Sequence, residues 1–139
     1  MSTTLHSHIE VRIGDQWHHY HAPIVDTNYK LFGLIAGVRT DVGYVVAKNR
    51  TMPEDISPVT AIAYESDKGI GVHDTVVLDA ADIKELQSRI YDVVYPNVAP
   101  TGIDEGDLEY SIFKTYIAGN TIAAHEGFDD VRIVCWFDN

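Results

Sequence analysis

The sequence predicts an α+β domain. The expected architecture is a small mixed or antiparallel sheet with three or four helices packed mainly on one face. Three observations carry it. Residues His6 to Ile13 alternate polar and apolar side chains and run into Gly14-Asp15, the pattern of a strand entering a hairpin. Residues Val131 to Phe137 are nearly all apolar and β-prone, as in a central strand buried on both faces. Between them, several segments place apolar residues at helical spacing.

In the hairpin, Gln16 to Ala22 is the return strand. A loop of Gly14-Asp15 alone makes opposite positions sum to 29, setting His8 against His21, Glu10 against His19 and Arg12 against Trp17. One face then carries His6, His8, Glu10, Arg12, Trp17, His19 and His21. The other, with Ile9, Val11, Ile13, Tyr20 and Ala22, is expected to face the core and takes Gln16 and His18 with it. A one-residue slip would exchange the faces.

Asp26 or Thr27 is the expected cap of a first helix, whose stripe is Leu31, Phe32, Leu34, Ile35 and Val38. Residues 39–55 read as loop, with Val45-Val46 a candidate short strand. Ser57-Pro58 is an N-cap followed by an N1 proline, opening a helix to about Glu65. Thr75 to Leu78 is a short strand. Asp79 caps an amphipathic helix with Ile83, Leu86, Ile90, Val93 and Val94 on one side, stopped by Pro96 and Pro100. A further helix is expected from Asp107, with Leu108, Ile112, Phe113, Tyr116 and Ile117 inward. Gly119-Asn120 interrupts it, and Thr121 caps an extension to Glu126.

A length of 139 residues predicts a single domain, long enough to bury roughly two thirds of its unfolded surface. The 45% apolar and 22% charged content is that of a folded globular chain. No apolar run approaches the roughly 20 residues needed to cross a bilayer, and Met1 to His6 lacks the pattern of a signal peptide. The single Cys135 cannot form an internal disulfide. A cytosolic location is expected. A net charge of −11 repels a phosphate backbone, so duplex nucleic acid is not an expected partner. The acidity serves solubility, or else mimics nucleic acid or docks on a basic partner.

Five motifs resemble those of a family of small, functionally uncharacterised proteins of bacteriophages, prophages and bacterial genomes. Asn28 to Arg39 is similar to that family's "RNYDLFAILAGVRN". Thr4 to Glu10 stands where the family has "DIHMYVE", matching at His6 and Glu10. Asn49 to Ser57 resembles "PRGLPDDVS", matching at Arg50, Pro53, Asp55 and Ser57. Gly69 to Leu78 resembles "DGHSHSYLTLKEL", with only the second histidine retained, as His73. Val131 to Asn139 is similar to "VRIVFWFDN", with Cys135 in place of the first Phe. Thr4, Gly71 and Val72 depart from the pattern. The phage setting this implies is one in which a small acidic protein acts on a host system, by binding a host protein or by holding a nucleotide signal, with antagonism of host defence as one outcome.

The matching polar residues are His6, Glu10, Asn28, Arg39, Arg50, Asp55 and His73. Arg39, Arg50, Asn28 and His73 form the expected ligand-binding set: Arg offers a fork of donors to phosphate, and His binds or moves a proton near neutrality. The structural alternative makes Arg39 and Asp55 an ion pair and Asn28 a helix cap. If the protein is an enzyme, His73, His6 and Asp55 are the catalytic candidates. With no evident nucleophile they need an activated water, which favours a metal. His8, Glu10, His19 and His21 on one hairpin face are the candidate ligands for a divalent ion. Arg12 on that face counts against a metal, and no cofactor is otherwise expected. Trp17 offers a stacking edge, or else covers Arg12. There is no glycine-rich phosphate loop, nucleophile elbow or zinc-finger spacing.

Two function classes follow. The first is a binder of a small phosphate-containing ligand or a host protein. The second is a His/Asp hydrolase or phosphodiesterase, with or without a metal. A homodimer through the hairpin edge and Trp17 is a further expectation.

Overall fold

The structure is a computed structural model and describes residues 2–25, 27–93 and 127–139. Four strands form one antiparallel sheet in the order β2-β1-β4-β3. They are β1 (Thr4–Ile13), β2 (Gln16–His21), β3 (His73–Leu78) and β4 (Asp130–Asp138). Three helices accompany them: α1 (Tyr29–Ala36), α2 (Pro58–Asp67) and α3 (Ala80–Val93). The expected α+β class, N-terminal hairpin and central C-terminal strand are all present. The helix expected from Asp107 and the proline stop after α3 fall outside the described residues.

The apolar alternation of β1 and β4 builds one core. Leu5, Ile9 and Val11 of β1 meet Val131, Ile133, Cys135 and Phe137 of β4, and α1 and α3 cover them with Leu31, Phe32, Leu34, Ile35, Ile83, Leu86 and Ile90. Burying a side chain of this size contributes about 1.5–3 kcal/mol. β4 is buried from Val131 to Phe137, as its nearly all-apolar run requires. The expected core face of the hairpin is only half realised. Ile9 and Val11 are buried, but Ile13, at the hairpin turn, and Tyr20, on the edge strand β2, are exposed.

The hairpin turns at Gly14-Asp15 with Ile13 opposite Gln16, Arg12 opposite Trp17 and Glu10 opposite His19. The register then shifts between Ile9 and Glu10, placing His21 opposite Ile9. The expected His8–His21 pairing is therefore corrected by a bulge that a two-residue loop cannot announce.

Asn28 caps α1, its side-chain oxygen accepting the Leu31 N–H at 3.1 Å. This replaces Thr27 as the expected cap, while Asp26 lies outside the described residues. The following turn passes so close that a Cβ on Gly33 would lie 2.1 Å from the Thr40 carbonyl oxygen. This contact fixes the segment that carries Arg39. Ser57 and Pro58 open α2 as expected, but the Ser57 side chain makes no cap bond to the helix. Asp79 and Asp82 cap α3 reciprocally through each other's N–H groups, at 2.8 and 3.3 Å. Among the described residues no helix is long and apolar enough to cross a membrane.

Candidate functional site

The second face of the sheet is polar, and α2 covers it. Glu10 projects from β1 and is fully buried. One carboxylate oxygen accepts the Ser57 N–H at 3.0 Å, the Ser57 hydroxyl at 2.5 Å and the Thr60 hydroxyl at 2.8 Å. The other accepts Arg132 Nε at 2.9 Å and lies 2.8 Å from Arg132 Nη2. Burial alone would raise the Glu10 carboxyl; the bonds from Ser57, Thr60 and Arg132 outweigh it and hold it below its ordinary value. Arg132 also donates Nη1 to Asp55 at 3.0 Å, and its guanidinium lies 4.0 Å from the centre of the Trp17 ring. Trp17 thus covers Arg132 of β4 rather than Arg12.

Further along the same face, His6 lies between two carboxylates. It bonds Asp138 through Nε2, and its Nδ1 is 3.6 Å from Asp67. Trp136 donates its indole N–H to Asp67 at 3.0 Å and stacks on His8 at 4.8 Å. His8 Nδ1 and His19 Nε2 share a 3.0 Å hydrogen bond. Burial, with His19 and His6 nearby, lowers His8 to about 4; burial also lowers His19. A groove of about 260 Å³ beside His6 and His8 is lined on its other side by Ala22 to Val25.

The hairpin residues considered as metal ligands are therefore differently employed. Both oxygens of Glu10 are taken by donors, His8 and His19 bond each other, and His21 is exposed. Among the described residues no three His, Cys, Asp or Glu side chains are grouped to hold a metal ion.

A second network lies at the edge strand β3. His73 Nδ1 meets Asp74 Oδ2 at 2.6 Å, and Arg50 Nη1 donates to Asp74 Oδ1 at 3.3 Å. Arg50 Nη2 donates to the Ala36 carbonyl at the C-terminus of α1, at 2.6 Å. His73 Nε2 lies 3.2 Å from Asn139 Oδ1, which also accepts the Thr3 hydroxyl at 2.8 Å. The Thr3 oxygen in turn accepts Arg39 Nε at 2.6 Å, and the Arg39 guanidinium lies 5.2 Å from the centre of the Tyr29 ring. Arg39, Arg50 and His73 come from three separate segments and are joined in one chain of polar contacts. Arg39 and Asp74, at φ 66° and 51°, are the two non-glycine residues with positive φ among those described. Both belong to this chain.

The expected catalytic residues are spread out. His6 stacks on Trp136 and His73 on Phe137, which are successive residues of β4 and so point to opposite faces. Asp55 pairs with Arg132, four residues and about 13 Å along β4 from Trp136. Asp55 goes to Arg132, and Arg39 to Thr3 and Tyr29. Asn28 serves as the cap of α1.

Sequence reasoning passed over Arg132, Thr60, Asp67, Asp74, Asp138, Asn139 and Thr3. One signal was readable. A lone arginine in an otherwise apolar central strand needs a buried acid, and Glu10 is the acid on the strand beside it.

No protein-family model, curated protein or solved structure matches the chain. The likeness to the phage and prophage proteins thus rests on the motifs quoted above.

Proposed function

We propose that this protein acts by binding, and that its ligand is a small phosphate-containing molecule of nucleotide type held at Arg39, Arg50 and His73. One observation carries the reading. The three residues are joined in one chain of polar contacts, running through Asn139 and the buried Thr3, that also contains both non-glycine residues of positive φ among those described. Such backbone costs on the order of 1–3 kcal/mol per residue and clusters at ligand sites. Two arginines and a histidine supply the donors that a phosphate needs. A cytosolic, phage-derived setting fits this reading, with host nucleotides as the available ligands.

The test is a thermal-shift screen of the whole protein against inorganic phosphate and mono-, di- and cyclic nucleotides. A bound ligand at a hundredfold excess over its Kd adds about 2.7 kcal/mol of stability. That shift should vanish in Arg39→Ala and His73→Ala and persist in His6→Ala. A shift equal in all four proteins would reject the site.

The hydrolase reading has one observation in its favour: His6 is held by Asp138 and Asp67 beside a groove. It predicts turnover of a phosphodiester that His6→Ala abolishes and Arg39→Ala spares.

A further inference from the structure

The Arg50–His73 junction already holds an anion, and it belongs to the chain itself. Asp74 presents one carboxylate oxygen to Arg50 Nη1 and the other to His73 Nδ1, at 3.3 and 2.6 Å. Two donors on two oxygens of one group is also how a phosphate is gripped.

The donors do not depend on Asp74 for their positions. Arg50 is tied by Nη2 to the Ala36 carbonyl at 2.6 Å. The His73 ring lies over Phe137, with centroids 6.2 Å apart and planes at 24°, and its Nε2 faces Asn139. Asp74, by contrast, is held at φ 51°, where side chains other than glycine, asparagine and aspartate are rarely found. Arg50 and Asp74 are 44% and 43% exposed in their side chains. An ion pair so exposed contributes roughly 0–1 kcal/mol, little enough to be exchanged.

We propose that the Asp74 carboxylate occupies the seat of the ligand's phosphate, and that a phosphomonoester dianion binds by displacing it. The inference rests on the binding site proposed above and adds the built-in competitor that a ligand must displace. A tethered carboxylate is a permanent competitor at high effective concentration. A diester or carboxylate, carrying one negative charge, offers Arg50 and His73 no more charge than Asp74 does. A phosphomonoester offers about two near neutral pH and keeps an oxygen free for further donors. Asp74 therefore acts as a built-in competitor that lowers the affinity of every anion by one factor, so that at low concentration it is the more strongly held dianion that binds. The displaced carboxylate moves into water, and no covalent bond changes.

The experiment is calorimetric titration of the folded wild type, Asp74→Asn and Asp74→Gly with inorganic phosphate, a nucleoside 5′-monophosphate and a cyclic nucleotide. Asparagine removes the charge and keeps the shape. Glycine removes the side chain and accepts the positive φ. Circular dichroism confirms the fold of each. The wild type should prefer the monophosphate to the cyclic diester. Both variants should bind phosphate, the monophosphate and the cyclic diester tighter by one common factor of up to about sixfold, the most that a competing pair worth about 1 kcal/mol can withhold. Binding detectable only in the variants would also support the proposal. Affinity that is unchanged or weaker in both variants would overturn it, leaving Asp74 as a residue that orients Arg50 and His73. Absence of binding in all three proteins would reject the underlying site as well.

Discussion

Under α2, Glu10 is fully buried and both its oxygens face donors from Ser57, Thr60 and Arg132. At the edge of β3, Asp74 is 43% exposed and its carboxylate meets Arg50 and His73 in an arrangement open to water. Each network joins a carboxylate to an arginine. Burial separates them. A charge removed from water must keep every partner or lose several kcal/mol, whereas a charge at the surface can change partners at little expense. The residues that match the phage motifs divide along this line. Glu10 and Ser57 lie in the buried network with Arg132, whereas Arg39 and Arg50 are exposed.

The comparison is broken most forcefully at Arg132. Replacing it by methionine keeps the volume and strands the Glu10 carboxylate in the interior. The expected loss is roughly 3–5 kcal/mol, read as a lower urea midpoint at unchanged slope. Adding Glu10→Met should recover part of that loss, because removing both buried charges spares the penalty of one alone. If Arg132→Met unfolds no more easily than wild type, the buried network does not hold α2 in place.

Most of the fold and part of this division were legible in the chain. The hairpin turn, the central β4 and the capped α3 follow from local patterns: alternation, a nearly all-apolar run, and Asp79 ahead of an amphipathic stripe. The bulge at Ile9/Glu10 was not legible, since it depends on how β2 fits a twisted neighbour. Nor was the fate of the hairpin's histidine face. Alternation shows that His6, His8 and Glu10 share a side, but it does not show that α2, more than forty residues later, will cover it. Period 2 marks two faces and is silent on which is wet. The proposed binding set was half legible. Arg39, Arg50 and His73 stood out as polar residues in loops or at element ends, while Asp74, Asn139 and Thr3 gain meaning only when distant segments meet.

A second, smaller effect comes from acid. His8 is lowered to about 4 from an ordinary value near 6.5, first by burial and then by His19 and His6. Below pH 6.5 the unfolded chain takes up a proton that the folded one refuses, so stability falls as the pH drops from about 6.5 to 4. A shift of that size corresponds to at most about 3 kcal/mol. His19 is lowered in the same direction. The shared His8–His19 hydrogen bond requires one ring nitrogen to lack a proton, so charging both rings removes the acceptor. Asp82, whose carboxyl burial raises, works in the opposite sense. The clean readout is thus a difference. His8→Phe keeps the stack on Trp136 and should flatten the wild-type decline in urea midpoint between pH 6.5 and 4. Equal slopes in the two proteins would show that the histidine pair does not report burial of this face.

The smallest effect on stability is expected where the largest effect on ligand binding is claimed. Arg50→Ala removes an exposed pair with Asp74 and one bond to the Ala36 carbonyl at the C-terminus of α1. The pair is worth roughly 0–1 kcal/mol, and the cation at the helix terminus roughly 0.3–1 kcal/mol. The variant should therefore unfold within about 2 kcal/mol of wild type, well short of Arg132→Met. Its phosphate-dependent thermal shift should nonetheless disappear. Those two readings, taken on one protein, separate a binding arginine from a structural one. A loss of stability as large as that of Arg132→Met would place Arg50 with the buried network. A retained phosphate shift would remove it from the site, leaving Arg39 and His73 without the donor that reaches Asp74 from the opposite side.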